Sequence, residues 1–237
     1  MGAARVDSKG HAYKGSQRQV QTWVNHHPDK LNSAILRELP LLAASEPQIT
    51  WQSPLRNDHY REYRDAAFLK QIGHPELADR LAEFWPSRGP VWDGFATYQG
   101  HHSATGVILI EGKSYPAEFI GTGCQAGKSG TGASRRARIQ IANALRLTQT
   151  GLEMQAIPNW MGPLYQSANR LAYTFWLREE AMIDTWLVHL VFDNDPTLSE
   201  DDQTDAATWR IRLKQVETDL GVDDDVPWHA SVILPGR

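Results

Sequence analysis

The sequence predicts an α/β fold in which helices flank a central mixed β-sheet. Two stretches, residues 107–110 and 185–192, are almost continuously apolar and rich in β-branched side chains, as in strands buried on both faces. Segments with helical periodicity lie before, between and after them, most clearly from residue 163 to about 180. Because helices separate the later strands, at least one crossover connection is expected.

The other elements are predicted from capping and turn residues. Residues 1–17 are polar and are expected to be a disordered tail, and Pro40 and Pro47 bound a loop. Asn57 or Asp58 can cap a helix, and Pro75 favours the first turn of another. Ser134 is expected to cap a helix after a glycine-rich loop at 121–132. The predicted helices are 18–26, 30–39, 57–71, 75–85, 134–147, 163–180 and 208–220, with a last strand at 230–234.

Length and composition indicate a protein with an ample core. The 237 residues carry a formal net charge of −4, and we expect one domain at 18–237 with a helical extension at 18–55 and an acidic part at 193–225. Neither a signal peptide nor a membrane span is expected, so a cytoplasmic location is predicted. The single cysteine, Cys124, excludes an intrachain disulfide and a cysteine-based metal cluster.

Charged residues lie at the end of the buried strand at 107–110. Glu111 and Lys113 share one face of the strand, and Gly112 points to the other. A second strand at 91–97 is followed by a turn signal, so the two strands form a hairpin. If the hairpin is centred near His102, residues whose numbers sum to 204 face each other, and Asp93 lies opposite Glu111. Opposed Cβ atoms lie about 4.5 to 5.5 Å apart, so these carboxylates repel unless a cation or a proton separates them.

A divalent metal ion would resolve this repulsion. Two carboxylates and a carbonyl are hard oxygen ligands, which suit Mg²⁺ or Mn²⁺ better than zinc. Lys113 lies on the same face, where it could hold the attacking water or stabilise negative charge on a phosphate. Such an arrangement is suited to phosphodiester hydrolysis.

On these residues the chain resembles the PD-(D/E)XK nuclease superfamily, over roughly residues 55 to 195. Asp93 matches the first acid and Glu111-Gly112-Lys113 the E-x-K signature, although Trp92 stands where the motif has proline. The resemblance implies a restriction-endonuclease-like three-layer core. It also implies that both acids bind Mg²⁺, that the carbonyl of Gly112 can join them, and that Lys113 assists the attacking water.

Short motifs also occur by chance, and purely structural explanations of these residues stay open. Asp7-Ser8-Lys9 has the same pattern in a polar segment, and Glu111 with Lys113 could be a surface ion pair worth about 0 to 1 kcal/mol. Glu62 is a candidate third carboxylate, because some superfamily members carry an additional acid on the helix before the sheet. A solvated charge on an exposed helix face explains Glu62 equally well.

Basic residues follow the proposed site along the chain. Between 128 and 146 the sequence has five basic residues and no acid, and we expect four of them to face nucleic acid: Lys128, Arg135, Arg136 and Arg138. A solvated helix face is the alternative. Gln166, Asn169 and Tyr173 form a polar stripe on the helix from 163, suited to contacting a phosphate or a base. The stripe is similar to a glutamine and tyrosine motif in one branch of the superfamily, although Arg170 stands at the tyrosine position; capping of neighbouring loops is the alternative.

Three functions are therefore open. The leading hypothesis is a Mg²⁺-dependent nuclease that acts on DNA, with Asp93 and Glu111 holding the metal and Lys113 assisting the water. Such a nuclease could act as a homodimer. The second is a module with the same fold that binds nucleic acid or assembles with partners without cutting. The third is nucleotide binding, since Gly127-Lys128-Ser129 ends a near copy of a P-loop whose first glycine is replaced by Thr122.

Overall fold

A five-stranded mixed sheet forms the centre of the molecule in the computed structural model, which describes residues 6–101, 105–222 and 226–237. The strands are β1 (Gln48–Ser53), β2 (Gly94–Gln99), β3 (Thr105–Lys113), β4 (Asp184–Asp193) and β5 (His229–Pro235). They lie side by side in chain order, and β2 runs antiparallel to β1 and β3 whereas β3, β4 and β5 run parallel. The predicted hairpin and crossover are thus confirmed.

Helices connect and cover the strands. The α7 helix continues into a π-helical turn at Trp176–Glu180, so the long helix predicted for 163–180 is confirmed. Within the described residues, no helix combines the length and apolar character needed to cross a membrane. The helices are α1 (Gly15–His26), α2 (Pro28–Glu38), α3 (Pro40–Ala43), α4 (Asp65–Gln71), α5 (Ala78–Phe84), α6 (Gly132–Gly151), α7 (Tyr165–Phe175) and α8 (Ala206–Leu220).

The two faces of the sheet carry different helices. A Cβ on Gly112 would come within 2.7 Å of Val20 Cγ2, so this glycine allows α1 to pack closely on one face. The neighbouring Glu111 points to the opposite face, where Arg170 of α7 contacts it. The α2 helix contacts β5, and α7 and α8 contact β4. The result is a helix–sheet–helix arrangement of three layers.

Apolar burial is concentrated on the two central strands. Residues 106–113 of β3 and 185–192 of β4 are buried throughout, as expected for strands covered on both faces. Each fully buried Val, Leu or Ile side chain contributes about 1.5 to 3 kcal/mol relative to exposure. The buried polar residues Glu111, Lys113 and His189 therefore lie in a part of the sheet whose other buried side chains are mostly apolar.

Two segments before the hairpin differ from the predictions. The predicted helix at 57–71 is wrong over its first half, where a short 3-10 turn (Arg56–Asp58) is followed by His59 and Tyr60 at positive φ, and α4 begins only at Asp65. Positive φ ends a helix, so Glu62 lies outside any helix, next to the isolated bridge between Tyr63 and Trp92. Strand β1 was not predicted, although its sequence alternates polar and β-forming residues.

The amino-terminal segment also differs from the expected disorder over 1–17. Residues 1–5 lie outside the described part of the chain, but Val6 pairs with Ala12 in an isolated bridge and α1 begins at Gly15. The amide of Gly15 donates to Thr197 Oγ1 at 2.8 Å, which joins this segment to the loop after β4.

The cap of α6 also differs from the prediction. Thr131 rather than Ser134 caps this helix, because the Thr131 side chain accepts from the Ser134 amide.

Candidate active site

The hairpin has the register that places the two acids together. Gly94 pairs with Ile110 and Phe95 with Leu109, so paired residue numbers sum to 204 as predicted, while His102 at the expected centre lies outside the described residues. Asp93 immediately precedes β2, and its Oδ2 accepts a hydrogen bond of 2.8 Å from the Gly112 amide. The first acid is therefore held against the backbone of the E-x-K segment.

Glu111 lies at the centre of a buried ion network. Its Oε1 accepts from Lys113 Nζ at 2.6 Å, and its Oε2 accepts from Arg170 Nε at 2.7 Å. Glu111 is only 3% exposed, Lys113 6% and Arg170 9%. These burial values exclude the alternative of an ion pair on the protein surface.

Arg170 joins α7 to the hairpin. Besides Glu111, its guanidinium donates to the Val91 carbonyl at 3.0 Å and to Asn169 Oδ1 at 2.7 Å. It also lies over the Trp92 ring, with 5.5 Å between Cζ and the ring centroid. A planar guanidinium can make these contacts at once, which an ammonium group cannot.

The cations set the ionisation of the glutamate. Burial alone raises the pKa of Glu111, but the charges of Arg170 and Lys113 outweigh it and lower the pKa to about 2. Burial likewise lowers the pKa of Lys113, but the negative charges of Glu111 and Asp93 outweigh that effect and raise it. The pair is therefore ionised at neutral pH, with Lys113 as an ammonium group.

The pKa values of the other two acids, Asp93 and Glu62, are raised rather than lowered. Burial, together with the negative charge of Glu111, raises the pKa of Asp93 to about 8. Burial also raises the pKa of Glu62, although the side chain of Gln17 donates to it at 2.9 Å. Glu62 thus lies near the acids on a segment without regular structure rather than on a helix. The candidate site has three carboxyl groups, on Asp93, Glu111 and Glu62, for the two cations Lys113 and Arg170.

The residues present suit a hard divalent cation. Asp93, Glu111, Glu62 and the Gly112 carbonyl offer oxygen ligands only, which is the preference of Mg²⁺ and Mn²⁺. The raised pKa values of Asp93 and Glu62 indicate negative charge that a cation would stabilise. Within 6–101, 105–222 and 226–237, no group of three or more His, Cys, Asp or Glu side chains is already arranged around a metal position. Each Glu111 oxygen already accepts from a cationic group, so the metal would have to share or replace one of these partners.

The predicted nucleic-acid-binding residues lie at different depths. Lys128, Arg135, Arg136 and Arg138 are exposed on the glycine-rich loop and the start of α6. Arg138 donates to the carbonyls of Cys124 and Ala126 at 3.4 and 3.2 Å. Lys128 lies four residues before the first residue of α6, so it does not stand at the helix start as a P-loop lysine does.

The polar stripe on α7 is divided between surface and interior. Gln166 is exposed, and Asn169 is buried beside Arg170 as described. Tyr173 is 1% exposed, its ring packs against Trp85 and Trp92, and its hydroxyl donates to Asp65 Oδ1 at 3.4 Å. Two members of the stripe therefore support neighbouring groups, and only Gln166 has a free face.

Arg170 is the site residue that sequence reasoning missed. It was noted only as a mismatch to the glutamine and tyrosine motif, yet its position four residues after Gln166 places it on the same side of α7.

Searches against protein-family models, curated proteins and solved structures found no match to this chain. Function is therefore inferred from the residues and their geometry.

Proposed function

We propose that this chain is a Mg²⁺-dependent nuclease of the restriction-endonuclease-like type that hydrolyses phosphodiester bonds, with DNA as its substrate. The supporting observation is the convergence of Asp93, Glu111 and Lys113 on one face of a hairpin with the predicted register. A glutamate and an ammonium group buried together, beside two half-buried carboxyl groups with raised pKa values, are costly to fold and are characteristic of functional sites.

Each residue has a distinct task in the proposed reaction. Asp93 and Glu111 would hold the cation, with the Gly112 carbonyl and Glu62 available as further oxygen ligands. When bound, Mg²⁺ would supply Lewis-acid polarisation of the phosphate. Lys113 keeps its proton, because its pKa is raised, so its ammonium group donates a hydrogen bond to the attacking water or to a phosphate oxygen.

Arg170 has a positioning task. Its bond to the Val91 carbonyl holds the segment before Asp93, and its bond to Glu111 fixes the rotamer of the second acid. Positions of catalytic groups must be kept within about 0.5 Å for full activity. Arg170 would therefore keep both acids aligned although they come from different strands.

The proposal is tested by cleavage assays with the Asp93→Asn variant. Asparagine keeps an oxygen that can accept from the Gly112 amide, so the fold is retained while the charged metal ligand is lost. We expect Mg²⁺-dependent cleavage of DNA by the wild-type chain and at least a 100-fold lower rate for the variant, the order of a lost ligand or transition-state contact. Asp29→Asn, at an exposed carboxylate of α2, is the matched control. Cleavage that survives Asp93→Asn would refute the mechanism.

A second candidate, a nucleic-acid-binding module without cleavage, is favoured by one observation. Both oxygens of Glu111 already have cationic partners at 2.6 and 2.7 Å, so this carboxylate is compensated without a metal. Calorimetric titration with Mn²⁺ separates the two candidates. Binding that disappears in Asp93→Asn supports the nuclease, and the absence of binding by the wild-type chain supports the module.

A further inference from the structure

An open cleft of about 760 Å³ lies beside the candidate active site. The segment from Trp85 to Val91 forms one wall, and the loop from Gly121 to Ala126 forms another. The start of α7, including Gln166, Asn169 and Arg170, closes a third side. Arg170 and Val91 therefore belong both to the cleft and to the hydrogen-bond network of Glu111, so the cleft adjoins that network.

The charged side chains that line the cleft are basic, on a protein whose formal net charge is −4. Its lining residues include Arg88 and Arg170 and no aspartate or glutamate. Arg88 is exposed, and in the described part of the chain its guanidinium has no carboxylate within ion-pair distance. The exposed Arg138 bonds the carbonyls of the Gly121–Ala126 wall, which extends the positive surface from the cleft onto α6.

Close packing fixes the first wall in place. Asp65 accepts from the amides of Arg88 and Gly89 at 3.0 Å each. A Cβ on Gly89 would come within 1.8 Å of the Tyr173 hydroxyl, so only glycine lets this wall lie against α7. The buried Tyr173 and Asp65 thus support a preformed cleft.

The second wall is fixed in the same way. Gly123 has a φ of +74°, and a Cβ there would lie 2.7 Å from the Met161 carbonyl oxygen. The Cys124 amide donates to that carbonyl at 3.0 Å. Neither wall needs to rearrange for the cleft to be open.

We infer that the cleft binds a single strand of nucleic acid rather than a duplex, with a phosphate beside Arg88; this inference rests on the proposed function. Arg170 lines the cleft and bonds Glu111, and Glu111 and Lys113 are only 3% and 6% exposed, so a phosphodiester in the recess would lie beside the Glu111 network. A duplex is stiff over about 50 nm, and it presents its phosphates on a convex surface. A single strand bends locally and fits a positively charged groove with an aromatic wall, here the half-buried ring of Tyr165.

Binding measurements without metal test the inference apart from catalysis. The wild-type chain in EDTA is titrated into fluorescein-labelled 20-nucleotide DNA, single-stranded or duplex, and anisotropy is recorded; RNA of the same sequence is a parallel arm. We expect at least tenfold tighter binding of the single strand. Arg88→Ala is expected to weaken that binding about tenfold and to lower the salt dependence by one phosphate contact.

The control is Arg37→Ala, which removes an exposed arginine from α2 on the opposite face of the sheet. Its single-strand affinity should equal that of the wild type. Equal or tighter binding of the duplex, or an Arg88→Ala affinity equal to that of wild type, would overturn the inference. If the wild type and Arg88→Ala cleave duplex DNA equally well, the inference about the cleft is overturned and the proposed nuclease function is retained. Arg88-dependent single-strand binding without any cleavage would instead reject the nuclease and retain the cleft.

Discussion

The half-buried Asp93 and the fully buried Asp195 are two carboxyl groups of the same fold with opposite surroundings. Asp195 is fully buried and accepts hydrogen bonds from Gln19, Ser114 and both the amide and the hydroxyl of Thr197. Asp93 accepts one, from the Gly112 amide, and it lies beside the negative charges of Glu111 and Glu62. The first arrangement is that of a structural carboxylate. The second leaves charge that a ligand would have to compensate.

Glu111 occupies a position between these extremes. It has two cationic partners, Lys113 and Arg170, so its charge is neutralised, but the neutralising groups are themselves buried. A buried ion network contributes little net stability and loses much when one member is removed. Removal of one member of the network of Glu111, Lys113 and Arg170 should therefore lower the free energy of unfolding.

The largest effect is expected for Arg170→Met, which removes the guanidinium and keeps most of the side-chain volume. Glu111 then has one cation instead of two, and the Val91 carbonyl loses a donor. The free energy of unfolding, measured in urea, should fall by about 3 to 5 kcal/mol.

Arg178→Met is the matched control for that measurement. Arg178 pairs with Asp184 at 2.7 Å, but the two side chains are 24% and 44% exposed. Its ion pair should contribute about 0 to 1 kcal/mol. An equal decrease in the free energy of unfolding for the two variants would mean that solvent screens the Glu111 network as strongly as an ion pair on the protein surface.

Asp195→Ala tests the structural carboxylate. Its removal leaves the side chains of Gln19, Ser114 and Thr197 without their acceptor in the interior. We expect the free energy of unfolding to fall by about 3 kcal/mol, with cleavage by the folded protein unchanged. A smaller loss is expected for Asp195→Asn, which keeps one acceptor oxygen. Loss of cleavage in a folded Asp195 variant would remove the distinction between the two aspartates.

A buried histidine pair tests whether water is excluded next to Glu111. His189 is opposite Glu111 in the register of β3 and β4, and its Nδ1 lies 2.9 Å from His229 Nε2. Burial lowers the pKa of His229 to about 4. Its unfolded-state pKa is about 6.5, so on acidification the unfolded chain takes up a proton that the folded chain excludes. Stability present above pH 6.5 is lost as the pH falls towards 4.

The expected loss between pH 7.5 and pH 5 is about 1 to 2 kcal/mol, allowing for partial exposure of His229. His229→Asn should reduce the pH dependence of urea unfolding, and His74→Asn, at an exposed histidine, should not. An unchanged slope in His229→Asn would show that water reaches the pair.

Sequence alone could predict four of the five strands and the centre of the candidate site, because these follow from local patterns. Alternation along a strand puts Glu111 and Lys113 on one face, and a turn of known position puts Asp93 opposite, as the pairing of Gly94 with Ile110 confirms. Arg170 could not be assigned in this way, since its contact with Glu111 spans 59 residues and depends on how α7 packs on the sheet. The helix predicted around Glu62 was wrong because positive φ at His59 and Tyr60 has no strong sequence signature.

The smallest effect distinguishes the two aspartates most sharply, because it has the opposite sign. At pH 7 the raised pKa of Asp93, about 8, means that the folded wild type takes up a proton that the unfolded chain, with a pKa of about 3.9, has released. Asp93→Asn removes this cost and keeps an acceptor for the Gly112 amide, so in metal-free buffer at pH 7 we expect the variant to be more stable than the wild type by at least about 1 kcal/mol. Mg²⁺ should then stabilise the wild type, and not the variant, in thermal unfolding. A variant that is less stable than wild type without metal would place Asp93 with Asp195, as a carboxylate that the fold itself requires.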